Sequence, residues 1–298
     1  MQKIKVLECG PRDGWQNLKK VLPAEEKLKY IDGLFSCGIQ SMEITSFVSP
    51  RAIPQMVDAG EVARYCVEKY PDKELVALIP NFKGAELAQA AGLKNLTYVI
   101  SVSESHNKAN INRTHDQSFE ELRRIRESFP ELHLCIGMAT TFGCPFEGIP
   151  DLDKVLRFVE RIRSCDVDTV YLADTIGIAD PAQVRRTVKG IMERFPDTKM
   201  QVHIHDTRGM GLVNTLAAIE AGVDTVQSTL GGLGGCPFAP GASGNTATED
   251  LVYMLQRMGY DTGIDFDRLL ALSKEQHAEI DGIYSGHQMN IAAKSPCC

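Results

Sequence analysis

Apolar residues in this chain fall into short runs, separated by longer stretches where they recur every three or four positions. The runs at 3–9, 42–46, 75–79, 97–102, 132–138, 168–173, 199–205 and 224–229 are rich in Val, Ile and Leu. Runs of this kind suit strands buried on both faces. The intervening segments, 24–37, 59–70, 83–91, 117–128, 152–164, 181–194, 212–221 and 247–259, carry helical periodicity. Several open after Asp, Ser or Pro, as helix N-termini do. Eight strands, each followed by a helix, predict an α/β fold of the (β/α)8 barrel type over residues 1–264. A doubly wound open sheet is the competing arrangement, but no Gly-x-Gly-x-x-Gly follows the first strand. Residues 265–298 have helical character and then a polar tail, and are expected to form a cap or lid over one barrel end.

Composition narrows the function. The formal net charge is −7 and no basic block occurs, which argues against nucleic acid as the ligand. No apolar run is long enough to cross a bilayer, so no membrane partner is expected. The opening Met-Gln-Lys-Ile-Lys-Val offers no signal-peptide core, and a cytoplasmic location is expected. The nine cysteines include no Cys-x-x-Cys pair and read as reduced thiols. Cys297 and Cys298 stand apart at the chain end, where exposure is expected.

In a barrel of this kind chemistry sits at the C-terminal ends of the strands. The polar residues predicted there are Arg12, Asp13 and Gln16 after the first strand, Glu43 on the second, and Asp174 and Thr175 after the sixth. His203 and His205 lie on the seventh strand, and Cys236 and Asn245 follow the eighth. His203 and His205, two apart on a strand, share one face and are placed to chelate one divalent ion. Asp13 would complete a three-point site, and Asn245 would add a carbonyl oxygen. Such a nitrogen and oxygen set suits Mg²⁺ or Mn²⁺, with zinc a competitor for the imidazoles. Arg12 reads either as half of a structural ion pair with Asp13 or as a guanidinium stabilising negative charge on an enolate oxygen. Glu43 reads as the anchor of Arg12. Asp174 reads as a general base or as a group that orients a ligand.

Gly231 to Asn245 is too dense in glycine for a helix or strand, so it is a loop. Its chemistry rests on Cys236 and Asn245. The thiol reads either as a catalytic group or as a buried structural cysteine in a tight turn.

Several segments together resemble a known family. They are Gly10-Pro11-Arg12-Asp13-Gly14, Thr45-Ser46-Phe47-Val48-Ser49-Pro50, Gly143-Cys144-Pro145-Phe146-Glu147-Gly148, Asp174-Thr175-Ile176-Gly177, His203-Ile204-His205-Asp206-Thr207, and Gly231 to Asn245. The family is that of 3-hydroxy-3-methylglutaryl-CoA lyase, in the metal-dependent barrel superfamily that also holds isopropylmalate synthase. The resemblance implies a divalent metal (Mg²⁺ or Mn²⁺) on Asp13, His203, His205 and Asn245. It implies Arg12 on the substrate carbonyl, Glu43 supporting the metal and Arg12, and Cys236 transferring a proton to the product enolate. The implied reaction is retro-Claisen cleavage of an acyl-CoA to acetoacetate and acetyl-CoA, a step of leucine degradation, in a homodimer. Arg12, Gln16, Thr175 and Tyr171 are the candidate substrate contacts. Tyr171 stands where the family usually has serine, Leu18 where glutamate is common, and Arg208 where animal members have tyrosine; Ala139 to Phe142 also departs from the pattern. These departures leave open a related branched 3-hydroxyacyl-CoA as substrate. A condensing synthase of the same superfamily is a further alternative, against which the Cys236 loop counts.

Overall fold

The computed structural model describes residues 1–235 and 244–291. The strands are β1 (Lys5–Glu8), β2 (Ser41–Ser46), β3 (Glu74–Ile79), β4 (Asn95–Ser101), β5 (His133–Ala139), β6 (Thr169–Asp174), β7 (Met200–Ile204) and β8 (Thr225–Ser228). They pair in parallel in chain order, and β8 pairs with β1 to close the barrel. The helices are α1 (Ala24–Ser36), α2 (Ala59–Lys69), α3 (Phe82–Ala90), α4 (Glu104–Ile111), α5 (His115–Ser128), α6 (Leu152–Arg163), α7 (Pro181–Arg194), α8 (Gly211–Glu220), α9 (Thr248–Arg257) and α10 (Phe266–Glu279). Each predicted strand and helix is present within a few residues of its expected ends.

Alternate strand residues face opposite sides of the barrel wall. Ile4, Val6, Met42, Ile44, Val170, Leu172, Val202 and Ile204 join the large core between strands and helices. The lumen holds two small apolar clusters, Leu7 with Cys9 and Val76, and Cys135 with Tyr171 and Ala173. Polar side chains fill much of the rest, including Glu43, Thr97, Gln201, His203 and Gln227, all buried. A barrel interior stacked with Val, Ile and Leu is the usual arrangement. Here the upper lumen is given over to hydrogen-bonding groups.

One helix departs from expectation. Helix α4 has no counterpart in the apolar pattern, because Glu-Ser-His-Asn-Lys-Ala-Asn-Ile carries no helical stripe. Its ends are fixed locally instead. The Ser103 side chain accepts from the His106 N–H, and Asn112 closes the helix in the left-handed conformation at φ 53°. Within the segment 265–298, α10 packs beside α1 and α9 and against the turn after β8. Residues 280–290 then fold onto the turn after β8, where Gly234 N–H donates to Ile283 O and Ser285 Oγ donates to Asn245 O. Gly232 permits this approach, since its φ is +66° and a Cβ there would lie 1.8 Å from Ser285 Oγ.

Candidate functional site

At the end of β1 the chain enters a single π-helical turn, Gly10–Gly14. The N–H groups of Arg12 and Asp13 both donate to Cys9 O, at 3.1 and 2.7 Å. Such turns are common at functional sites because they place consecutive side chains where a regular helix cannot. Arg12 Nε donates to Glu43 Oε2, and its Nη1 donates to Asp13 Oδ1 at 2.5 Å. Nη2 takes part in neither bond. The pairing register of β2 shifts between Glu43 and Thr45, an irregularity that re-aims side chains at a strand end. Arg12, Asp13 and Glu43 are all buried. Burial works against the charge on Arg12, but Asp13 and Glu43 outweigh it and raise its pKa. Burial also opposes ionisation of Asp13, yet Arg12, the two histidines and Asn245 together hold that carboxyl at about 2.

The other Asp13 oxygen faces β7. The Asn245 amide donates to Asp13 Oδ2 at 2.7 Å, and His203 Nε2 lies 3.6 Å from the same oxygen. His205 Nε2 stands 3.2 Å from His203 Nε2. Ligand atoms of Asp13, His203 and His205 all lie within 4.8 Å of one another, and no other described group of His, Cys, Asp and Glu is drawn together in this way. Burial lowers both histidine pKa values, that of His203 to about 4. Both rings are therefore neutral at neutral pH, with a lone pair to offer. The Asn245 side-chain oxygen is buried and has no hydrogen-bond partner among the described residues, a costly state unless a ligand answers it. Neutral imidazoles, an ionised carboxylate and an orphaned amide oxygen suit a hard or borderline divalent cation. Adjacent ligands of an ion with bonds of ~2.1 Å lie roughly 3 Å apart, close to the separation of the two imidazole nitrogens.

The remaining predicted residues are distributed as follows. Gln16 Nε2 donates to Asp13 Oδ1 at 2.7 Å, at the edge of the cluster. Thr175 Oγ1 accepts at 2.8 Å from the N–H of Thr140, which is itself held at φ 59°. Asp174 lies on the outward register of β6. Its two oxygens accept the N–H groups of Ile178 and Ala179, each at 3.0 Å, so its side chain is committed to the loop it precedes. Tyr171 is in the lumen, its ring centroid 6.0 Å from that of His203. Cys236 lies outside the described residues, as do Cys297 and Cys298. Its neighbour in sequence, Gly235, borders Asn17, and the loop resumes at Gly244, next to Asn245.

Sequence reasoning missed the polar residues behind this cluster. Gln227 on β8 meets His203 Nδ1 at 3.0 Å, and Gln201 meets Gln227 at 2.9 Å. The signal was present: a glutamine inside an apolar strand run, and another two positions before His203. Two buried carboxylates were also missed. Glu8 accepts the N–H groups of Gly10 and Leu230 and the Thr248 hydroxyl. Glu249 accepts from Gly231 N–H and Ser273 Oγ. Together they tie the Arg12 turn, the start of the glycine loop and α9 into one unit. Burial raises the pKa of each to about 7.

Among the described residues no helix is long and apolar enough to cross a membrane. The HMGL-like family model matches residues 3–275. A hydroxymethylglutaryl-CoA lyase from Bacillus subtilis is 38% identical over 275 residues, covering 92% of each chain. Its species' solved HMG-CoA lyase superposes with a TM-score of 0.92 at 36% identity, over 97% of both chains. An HMG-CoA lyase from Acinetobacter baumannii, solved with coenzyme A and 3-methylmalate, gives a TM-score of 0.89 at 40% identity over 98% of both chains.

Proposed function

This chain belongs to the HMGL-like family, and from that premise we propose that it is a carbon–carbon lyase cleaving 3-hydroxy-3-methylglutaryl-CoA to acetoacetate and acetyl-CoA. The observation that carries the reading is the convergence of Asp13, His203 and His205 beside a paired arginine at the C-terminal mouth of the barrel. Coenzyme A and a hydroxy diacid bound together in the Acinetobacter enzyme support an acyl-CoA substrate of this type.

We assign Asp13, His203, His205 and Asn245 to holding a divalent cation, with Mg²⁺ or Mn²⁺ the expected ions. When bound, such an ion acts as a Lewis acid that lowers the pKa of the substrate C3 hydroxyl. Water at the barrel mouth takes the hydroxyl proton and leaves an alkoxide, whose collapse makes C3–O a ketone as C2 is expelled. The C2–C3 bond breaks, and its electron pair passes to C2 and the thioester oxygen as an enolate. Arg12 meets that oxygen through the edge not engaged by Glu43 and Asp13. Its guanidinium is held by two carboxylates before substrate arrives, so little reorganisation is needed when charge develops. Glu43 fixes the plane of Arg12. Cys236 protonates C2, which yields acetyl-CoA. Support for that last assignment is Gly234, where a Cβ would lie 2.6 Å from Asn245 Nδ2, so the described start of the glycine loop lies against the cluster. Gln16 and Thr175 line the rim as substrate contacts. Asp174 we assign to anchoring the loop at 175–179, since backbone N–H groups take both its oxygens.

A second reading is favoured by one observation. Tyr171 places a phenol in the lumen beside His203, which suits a related branched 3-hydroxyacyl-CoA with a differently shaped acyl end. The cytoplasmic location and the homodimer belong to the same proposal. All six described cysteines are free, in keeping with a reducing compartment. Steady-state turnover on a panel of 3-hydroxyacyl-CoA thioesters with Mg²⁺ or Mn²⁺ tests the whole reading. Equal amounts of acetyl-CoA and acetoacetate are expected. Release of free CoA, or no cleavage of any member, overturns it.

A further inference from the structure

We propose that Gln227, backed by Gln201, is a positioning residue for the metal, acting through His203. The inference rests on the metal assignment above. An inward-facing imidazole has two nitrogens, and only one can face Asp13. In the structure that nitrogen is Nε2, 3.6 Å from Asp13 Oδ2 and 3.2 Å from His205 Nε2. Nδ1 points the other way, 3.0 Å from Gln227 Oε1 on the neighbouring strand, where His203 and Gln227 are partners in register. For Nε2 to offer a lone pair, Nδ1 must carry the proton and Gln227 must accept it.

An amide can turn either of its ends toward a neighbour, so something must fix Gln227. Two groups do so. Its Nε2 donates to Gln201 Oε1 at 2.9 Å, and the Cys9 thiol lies 3.6 Å from its Oε1. The oxygen of Gln227 is thus the end surrounded by donors, and its nitrogen has an acceptor of its own. Both glutamines are buried, with exposures of 7% for Gln201 and 5% for Gln227, so bulk water does not take over these contacts. Gln201, Gln227 and His203 form a directed chain that leaves Nε2 with one possible role. The acceptor is neutral. It orients the ring without placing another negative charge behind a centre that already holds Asp13 and Glu43.

The competing explanation is that the two glutamines merely fill the lumen with matched polar groups. Mn²⁺ titration of the full-length, chelator-stripped protein, followed by the electron paramagnetic resonance of the free ion, separates the two. Gln227→Met keeps the length and removes the acceptor, and its Mn²⁺ affinity is expected to fall by ~10–100-fold. Gln227→Glu keeps an acceptor and is expected to bind within ~3-fold of wild type or more tightly, because a carboxylate raises ligand basicity. Gln201→Leu frees the Gln227 amide to turn and is expected to weaken binding several-fold, short of the loss in Gln227→Met. Thermal midpoints of the metal-free proteins report folding. A folded Gln227→Met protein that binds Mn²⁺ within twofold of wild type overturns the proposal. If Gln227→Met does not fold, unchanged Mn²⁺ affinity in Gln201→Leu overturns it equally. Wild-type protein that binds no Mn²⁺, or binds it undisturbed by His203→Ala, overturns the metal assignment itself. That result differs from a failure confined to the glutamine variants.

Discussion

Gly137→Ala adds one methyl group to the barrel lumen, and its effect follows from a single neighbour. Gly137 on β5 pairs in register with Tyr171 on β6. A Cβ at position 137 would lie 2.3 Å from both Cζ and the hydroxyl oxygen of Tyr171, and 2.7 Å from Cε1. These are far inside van der Waals contact. The ring has little freedom to retreat, packed with Cys135, Ala173 and Val99 and lying near His203. Overpacking of this kind costs about 1–3 kcal/mol, and the closeness of three Tyr171 atoms places the expected value near the top of that range. At ~2–4 °C per kcal/mol for a chain of this order, the melting temperature should fall by roughly 5–10 °C. In a Tyr171→Ser background the three closest contacts of that methyl are removed, so Gly137→Ala should cost much less. A double-mutant cycle on thermal unfolding is expected to give a coupling of about 1.5 kcal/mol or more between the two positions. An equal cost of Gly137→Ala in both backgrounds would refute the clash. The same four proteins test substrate choice. If the Tyr171 ring shapes the pocket beside His203, Tyr171→Ser should raise turnover of 3-hydroxy-3-methylglutaryl-CoA relative to other thioesters. An unchanged ratio would leave Tyr171 as packing alone.

Chelation should abolish turnover and Mg²⁺ or Mn²⁺ should restore it, with His203→Ala weakening metal binding in a folded protein; full activity after thorough stripping would contradict the site. Arg12→Lys keeps a charge but loses the planar fork that meets Glu43 and Asp13, so turnover should fall ~10²-fold or more; a variant within a few-fold of wild type would leave Arg12 a structural role only. Cys236→Ser should retain fold and metal and lose most turnover, and alkylation should still inactivate a Cys297→Ser, Cys298→Ser protein, with substrate protecting; resistance to alkylation would move the sensitive thiol to the tail. Glu8 has a pKa raised by burial from 4.5 to about 7, so its contribution to stability is complete at low pH and is lost as pH rises through that range. A shift of this size corresponds to about 3 kcal/mol. Glu8→Gln, which keeps the size and an acceptor oxygen but carries no charge, should match wild type near pH 5 and melt several degrees higher near pH 8.5; a difference that does not change with pH would refute the assignment.

The barrel was legible because its signal is repeated. Eight apolar runs at regular spacing leave few alternative folds, and the errors fell where that signal is absent. Helix α4 has no apolar stripe and is held by its caps, which periodicity does not weigh. The position of α10 depends on contacts with α1 and α9 that no local pattern encodes. Asp13, His203 and His205 could be grouped in advance because strand parity and the strand-end rule act together. Asp174 sits at a strand end too, but with the opposite parity, so its carboxylate serves the backbone of the next loop. Glu8 and Glu249 were invisible for a related reason. A carboxylate that accepts only backbone N–H and hydroxyl groups has no ionic partner in the sequence to advertise it.

The charge balance of the mouth explains why these residues are assembled as they are. Arg12 is one cation between two buried carboxylates, and it meets each with a different edge of its guanidinium. The histidines bring no charge, since burial keeps them neutral. Asp13 therefore keeps its second oxygen for something other than Arg12, and that oxygen faces His203 and Asn245. Among the described residues its one hydrogen-bond donor there is the Asn245 amide, whose own oxygen is buried with no partner among them. Buried anionic and orphaned acceptors are costly unless a cation answers them. A divalent ion held there would answer the carboxylate and the amide oxygen together and would leave the centre with a positive excess. An alkoxide and an enolate, the two oxygen anions of a retro-Claisen cleavage, are the charges such a centre is built to receive.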